Sequence, residues 1–578
     1  MYAAKMETSE VFCSFTAEIR YIVMVSICIS NNIRIRGAST LLRAAITKAL
    51  TVDNPEYKKR KARRRPTWGC SPKLTLYSYE GADLIVPRGF LGSLQDLTMD
   101  QFVDIEWADV RETGKTARFG SWQASYELTK EQLVAINKCV VKESGCLVAP
   151  AGGGKTDIGL VYAAELGKVS LWITHTKDLL EQTVKRTTQC FDSVGEVGKL
   201  VEGTVSWGSG KLIVATVQTL QNNPKLIEQL NQFVGTVVVD ECHHLPAACF
   251  MEVVGQLKAK YMLGLTATPD RKDGLECYMY MGIGPKLYEI DRAGLYESGR
   301  LIKPEIRFVY TEFSYEQASV RNKINSVDAG GEELDYRELL DKLIADEERL
   351  KLISCNILRQ SGYQIVIADS IPYCHKIAQK LWEEALLNLR IEVVHGPLQR
   401  YTWRVCRGEA EAEDMLQDGR CISYRYNKAV KRWQVKVPQY SAEQYAEWSI
   451  STAQRKQIMQ DAADRNIDIL IATGQLVQEG LDLPHLNHGH LVTPKRGDVQ
   501  GANNGASVEQ AIGRIMRVDP RNLNKQAVWW DYVDYNVGVL KSQYNSRRKV
   551  YERLQLKCPA KSRRKGEDIE KMLAGLTW

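Results

Sequence analysis

The chain has 578 residues, 44% of them hydrophobic and 25% charged, with a formal net charge of +7. That length is more than one hydrophobic core serves, so three or four domains are expected, and the composition excludes wholesale disorder. Fourteen cysteines occur without a Cys-x-x-Cys pair or a Cys/His set at zinc spacing, which speaks against a zinc-finger protein or a disulfide scaffold and predicts reduced core thiols in an intracellular protein.

Near the start, Tyr21 to Ser30 is apolar but too short to span a bilayer, and Glu7, Glu10 and Glu18 outnumber the basic residues around it. The stretch therefore predicts a strand (21–36) rather than a membrane anchor or signal peptide. A helix from Ser39-Thr40 to Leu50, the basic run Lys58 to Arg65 and a β-rich patch from Leu74 to Val86 follow. Residues 1–120 read as an α+β accessory domain. Its basic and aromatic residues suit nucleic-acid backbone contact, with a plain supporting fold as the alternative.

The most informative stretch is Gly145-Cys-Leu-Val-Ala-Pro-Ala-Gly-Gly-Gly-Lys-Thr156. An apolar strand runs into a glycine-rich turn and then a helix, the pattern that cradles phosphate with freed backbone N–H groups and a helix N-terminus. Ala151, Gly152, Gly153 and Gly154 form the cradle, Lys155 reaches the β/γ-phosphates of ATP, and the Thr156 hydroxyl ligates Mg²⁺. One helix earlier, Gln132 can present a donor and an acceptor to one edge of adenine. Further apolar runs, Val169 to Thr174, Leu212 to Val217 and Thr236 to Val239, predict a parallel sheet with its functional loops at the strands' carboxyl ends. The last delivers Asp240, expected to hold the Mg²⁺ shell, and Glu241, expected to orient and deprotonate water.

Ala149 to Thr156, Asp240-Glu-Cys-His243 and Leu265-Thr-Ala-Thr-Pro269 together resemble motifs I, II and III of superfamily-two helicases of the DExH group. Gly264 to Thr268, then Arg271-Lys-Asp273, then Ile283 to Glu289 is similar to the XPB-like and UvsW-like branch of DNA translocases and helicases. Lys272 stands where that branch carries glutamate. The resemblance implies that Thr176 and Thr219 face nucleic-acid phosphate, and that Thr266, Thr268, Arg271 and Asp273 couple the nucleotide site to domain movement.

A second α/β lobe is expected from Lys303-Pro304, with a long charged helix around residues 332–359 and strands at Gln364 to Asp369 and Val393 to Gly396. Asp468 to Thr473 leads into a motif V-like segment, whose resemblance assigns Thr473 to nucleic acid and Gly480 and Asp482 to the nucleotide. Gln510-Ala-Ile-Gly-Arg-Ile-Met-Arg517 resembles motif VI. Arg514 and Arg517, three apart, are expected on one helical face reaching the γ-phosphate, with Gln510 placing the water.

Between Gly396 and Ser449 the chain departs from the family pattern. Residues 420–426 and 431–437 alternate with period two and predict a hairpin insertion (about 397–449), on which Tyr424 and Trp433 are expected to stack on bases. Val528 to Asp534 reads as the last core strand, with a basic helix and tail over 541–578.

The sequence thus predicts an α/β protein: two tandem RecA-like parallel-sheet lobes at 121–300 and 301–540, an N-terminal α+β accessory domain and a hairpin insertion in the second lobe. By resemblance it is an ATP- and Mg²⁺-dependent DNA helicase or translocase of 3′-to-5′ sense, acting on single-stranded, forked or branched DNA. Replication, recombination or repair proteins are its expected partners. It is expected to be monomeric, away from membranes, in the cytoplasm or nucleoid, or in the host cytoplasm if viral. An RNA helicase and a nucleotide-gated binding subunit with little strand separation are the alternatives.

Overall fold

The computed structural model describes residues 25–62, 64–99, 105–123, 127–244, 252–267, 274–315, 336–385, 388–398, 400–427, 432–478, 483–497 and 506–559. The N-terminal unit is a mixed five-stranded sheet in the order Ser78–Glu80, Asp83–Pro87, Asn32–Arg36, Val25–Ile29, Ile105–Asp109. The single strand expected over 21–36 is two antiparallel strands, because the chain turns back at Ser30-Asn31, where Ser30 N–H donates to the Asn32 carbonyl at 2.8 Å. Ser39 caps the helix Thr40–Ala49 by accepting from Leu42 N–H, and Leu42 and Ile46 pack onto the sheet. Most of the basic run lies on the helix Pro55–Ala62, which buries no side chain.

This unit is clamped to the next. Buried Arg88 donates to the carbonyls of Ala259 (2.8 Å) and Lys260 (2.9 Å) and to the Ser144 hydroxyl (3.1 Å). Cys277, Tyr278 and Met281 pack against its core. Glu112 bridges to Ala259 and Thr116 to Lys168, so the chain has joined the following lobe ahead of the expected division at 120.

The first lobe is an eight-stranded sheet, in the order Thr204–Gly208, Val197–Val201, Leu212–Thr216, Ser170–Thr174, Thr236–Val239, Tyr261–Thr266, Ser144–Val148, Lys286–Glu289. Only its outermost strand Thr204–Gly208 is antiparallel to its neighbour. Central strands such as Leu212–Thr216 are buried at every position, as both faces of a parallel sheet under helices must be. The second lobe is six-stranded and wholly parallel, in the order Glu305–Tyr310, Val528–Val533, His488–Leu491, Gln364–Ala368, Ile469–Thr473, Ile391–Val394. The two tandem RecA-like lobes are therefore present.

Two boundaries differ from expectation. The charged helix around 332–359 is two helices, Tyr336–Ala345 and Glu347–Leu358, restarted by Asp346, whose carboxylate accepts from Arg349 N–H at 2.7 Å; residues 332–335 lie outside the described residues. The C-terminal helix Gly538–Arg553 begins before the expected division at 541, and its buried Arg547 donates to both carboxylate oxygens of Asp531 at 2.8 Å. It is part of the second lobe's core rather than a basic appendage.

The insertion is more than a hairpin. Ser423–Asn427 pairs with Arg432–Pro438 as expected, but Tyr401–Val405 adds a third antiparallel strand on the other side. The helices Glu409–Gln417 and Ala442–Trp448 accompany it. Among the described residues no helix is long and apolar enough to cross a membrane.

Candidate nucleotide site and nucleic-acid interface

In the first lobe, Thr236–Val239, Tyr261–Thr266 and Ser144–Val148 are adjacent parallel strands. Their carboxyl ends therefore present the acidic pair, Thr266 and the glycine-rich loop along one edge of the sheet. The loop is anchored by Ala149 N–H donating to the Thr266 carbonyl (2.9 Å) and by Gly153 N–H donating to the Pro150 carbonyl (2.9 Å). Gly152 and Gly154 hold φ of 81° and 80°, the left-handed region in which a side chain is strained. The helix Lys155–Leu166 then starts with no side-chain cap, which leaves its first-turn N–H groups for an anion.

Lys155 Nζ lies 3.0 Å from Glu241 Oε1. Glu241 is itself held in left-handed backbone (φ 44°), its N–H donating to Asp240 Oδ1 at 2.9 Å. Burial, and then the Glu241 charge, hold the Asp240 carboxyl well above the usual carboxylate range, while Lys155 opposes them. The hydroxyl of Thr266 lies 2.8 Å from His243 Nδ1, which lies 3.4 Å from Glu241 Oε2. Three motifs thus touch in sequence: Lys155, Glu241, His243, Thr266. His243 was legible in the sequence as a motif member, but its place as the link was not.

A divalent cation fits this edge. Asp240 is a buried carboxylate whose charge has little compensation, Thr156 adds a hydroxyl one residue past Lys155, and the glycine cradle leaves room for phosphate oxygens. Among the described residues no group of three His, Cys, Asp or Glu side chains could hold a metal ion.

Gln132 is placed differently from expectation. Its carboxamide oxygen accepts from Thr129 N–H (2.9 Å), closing a capping box, and its NH₂ donates to the Gly153 carbonyl (3.1 Å). Both groups that were to read adenine are engaged within the protein, because the third position of a capping box draws the carboxamide back to the cap. In this geometry Gln132 braces the loop. Asp157 was not singled out in the sequence, yet it is buried and holds Arg186 at 2.7 and 3.0 Å, tying the phosphate-loop helix to Lys177–Cys190. An acidic residue in a helix's first turn was its only signal.

The second lobe meets this edge directly. Ile302 N–H donates to the Met516 carbonyl (2.8 Å) and Leu301 bridges to Arg517. A methyl group added at Gly513 would lie 2.8 Å from the Cβ of Ala151, and one at Gly152 would lie 3.9 Å from Arg517 Cγ. Buried Glu509 bridges Arg292 of the first lobe and Arg553 of the C-terminal helix. Gln510 is buried beside it in the chain.

The shared helical face expected for Arg514 and Arg517 is not present. The helix Ala506–Gly513 stops before them, Arg514 N–H and Ile515 N–H make tighter bonds to Ala511 and Ile512, and the pairing with Leu301-Ile302 draws the backbone out of helix. Arg517 lies beside the phosphate loop. Arg514 Nε instead donates to the Val477 carbonyl at 2.8 Å, bracing the helix Gly474–Gln478.

The residues expected to contact nucleic acid divide. Thr176 caps the helix Lys177–Cys190 by accepting from Leu179 N–H, which leaves its hydroxyl hydrogen to donate. Thr473 is half-buried at the carboxyl end of Ile469–Thr473. Thr219 is buried, 2.8 Å from the Thr216 hydroxyl, because the short helix Val217–Asn222 turns it inward, so it does not face phosphate. Tyr424 and Trp433 lie on the face of the insertion sheet covered by the helix Glu409–Gln417, with Tyr424 bonded to Glu413 at 3.2 Å, so the expected base-stacking pair is on the wrong side. Gly480, Asp482, Thr268, Arg271 and Asp273 lie outside the described residues.

The lobe junction gives one prediction. Gly513→Val forces the second lobe off Ala151, and ATPase kcat is expected to fall by about 100-fold while nucleotide binding to the first lobe persists. Steady-state kinetics beside a fluorescent-nucleotide titration check this, and unchanged kcat would show that the approach is dispensable.

Residues 125–271 match the family model described as Type III restriction enzyme, res subunit, and residues 418–519 match that of the helicase conserved C-terminal domain. The DNA 3'-5' translocase XPB2 of Sulfurisphaera tokodaii is 28% identical over 194 residues, 33% of this chain and 42% of that protein. A protein of Acanthamoeba polyphaga mimivirus, provisionally named an ATP-dependent RNA helicase, L396, is 23% identical over 412 residues, 71% of this chain and 64% of its own length. The chain thus spans less than two thirds of either relative. Among solved structures, UvsW of bacteriophage T4 aligns over 92% of this chain and 98% of its own, at 14% identity and a TM-score of 0.37. With the phosphate loop and acidic pair on one lobe, the motif VI segment against them from the other, and the two domain models matched in order, the chain carries the domains of an ATP-hydrolysing helicase and is similar to the XPB-like members of superfamily two.

Proposed function

We propose that this protein is an ATP-driven DNA translocase or helicase. The observation that carries the reading is the apposition of the glycine-rich loop with Gly513 and Arg517 across the lobe junction, since a site completed by two lobes makes hydrolysis depend on their closure. Lys155, Thr156 and Asp240 hold the magnesium–triphosphate, and Mg²⁺ when bound offsets charge on the phosphates. Glu241 takes the proton from water, Gln510 completes the second lobe's side while Arg514 braces the helix Gly474–Gln478 behind it, and Arg517 stabilises charge developing on the transferred phosphoryl group. Thr266, through His243, reports the state of Glu241 to the sheet edge, and the coupling role that the resemblance gives Thr268, Arg271 and Asp273 belongs to the same proposal. So does the nucleotide-binding role that the resemblance gives Gly480 and Asp482. Thr176 and Thr473 meet the nucleic-acid backbone.

Movement in the 3′-to-5′ sense is supported by the naming of the XPB2 relative. Forked or branched DNA, repair or recombination partners and a monomeric working state belong to the same proposal. The mimivirus relative, which matches 71% of this chain, supports a second reading as an RNA helicase. ATPase stimulation measured across single-stranded, duplex, forked and four-way DNA and matched RNA tests both. Stimulation by DNA over RNA is expected; the reverse selects the second reading, and no stimulation by either overturns the motor assignment.

A further inference from the structure

We infer that the open face of the three-stranded insertion sheet is a platform for single-stranded nucleic acid, separate from the threonines at the sheet edges. The inference rests on the motor reading above but uses different residues. Directly paired residues of an antiparallel sheet share a face. Val435 is paired with Tyr424, and Val435 and Val437 pack with Ala412, Cys421 and Met415, so the helix Glu409–Gln417 covers that side. The opposite side carries Tyr401, the row Trp403, Lys436 and Ser423, the pair Gln434 and Arg425, and the pair Arg432 and Asn427.

Charge is sorted between the two sides. The covering helix holds Glu409, Glu411, Glu413 and Asp414, whereas the strand residues of the open face include Arg425, Arg432 and Lys436 and no Asp or Glu. The cations are ordered on rings: the Arg425 guanidinium lies 4.0 Å from the Trp403 ring centroid, and Lys436 Nζ lies 4.8 Å from that of Tyr401. Gln434 Oε1 lies 3.4 Å from both Arg425 Nε and Nη2 and steadies the guanidinium as it crosses the middle strand. A guanidinium held over an indole is placed to stack with a base, and an ammonium on a neighbouring ring offers charge to the next phosphate. Bases already paired in a duplex do not present their faces to such a surface, which makes the single strand the occupant.

Placement agrees. The insertion leaves the sheet after Ile391–Val394, which pairs in parallel with Ile469–Thr473. It therefore springs from the edge that carries Thr473, beside the expected path of the strand. Trp448 fastens its far end to the lobe by stacking on His375 at 5.0 Å and 9°.

The test uses the full chain and a fluorescein-labelled oligothymidylate, with a blunt duplex as comparison. Trp403→Ala and Arg425→Ala are each expected to weaken oligothymidylate binding by about 5- to 100-fold, with duplex binding and basal ATPase unchanged and Trp403→Phe restoring most of the affinity. Lys436→Gln, which removes the charge and keeps most of the side chain's bulk, is expected to flatten the salt dependence of binding by about one phosphate contact. Wild-type affinity in folded Trp403→Ala and Arg425→Ala proteins, or an equal loss for duplex and single strand, overturns the platform. A DNA-stimulated ATPase with unchanged half-saturating DNA in Trp403→Ala overturns the platform while leaving the motor standing; absence of DNA stimulation in the unaltered protein overturns the motor reading itself.

Discussion

Glu241→Gln is expected to cut ATP turnover by about 10²- to 10⁴-fold while leaving MgATP binding intact or tighter, whereas Lys155→Ala should lose binding and turnover together. The difference follows from the Lys155–Glu241 contact of 3.0 Å. In the proposed site, a triphosphate arriving in the glycine cradle would compete with Glu241 for the Lys155 ammonium, and on losing it the carboxylate would be released to a water molecule. Glutamine is a weaker competitor for Lys155 and no base at all, so nucleotide is held and not hydrolysed. Single-turnover hydrolysis beside a fluorescent-nucleotide titration reads both quantities. Loss of nucleotide binding in Glu241→Gln would mean that the left-handed Glu241 (φ 44°) shapes the loop rather than the chemistry.

Arg349→Ala is expected to destabilise the protein by about 3–5 kcal/mol, the largest stability effect of any single substitution considered. Its side chain is fully buried with that of Asp534. Its guanidinium donates to Asp534 Oδ1 (2.7 Å) and Oδ2 (3.2 Å), the Tyr373 hydroxyl (2.5 Å) and the Val492 carbonyl (2.7 Å), while Thr311 donates to Asp534 at 2.6 Å. Truncation leaves a carboxylate, a phenol and a carbonyl without their donor in a medium that cannot solvate them. Arg349→Met with Asp534→Leu should cost much less, because no charge is left alone. Urea unfolding of the three proteins checks this, and an equal loss in the double variant would assign the effect to packing.

Much of this architecture was readable from residue patterns. Runs such as Val237-Val-Val239 and Ile365-Val-Ile367, short and β-branched, read as strands buried on both faces, and Gly152 and Gly154 announced a turn that other residues resist. What failed depended on tertiary direction. Three-residue spacing places Arg514 and Arg517 together only if the helix continues, and the strand-like pairing of Arg517 with Leu301 ends it. Period two predicted the two strands that carry Tyr424 and Trp433, but not the register that puts both on one face nor the acidic helix 409–417 that covers it; the same register leaves Trp403 and Lys436 on the open side. Thr219 and Gln132 are polar residues whose partners lie within the protein, a fate that sequence does not distinguish from facing a ligand.

The grip of Arg88 on Ala259, Lys260 and Ser144 makes the N-terminal unit a passenger of the first lobe, as Trp448 makes the insertion a passenger of the second. If the lobes open and close as the proposed function requires, the span between these two modules would lengthen and shorten with them. A polymer touched by both would be worked like a cord between two hands, and fluorophores on the pair would read the stroke as a change in energy transfer.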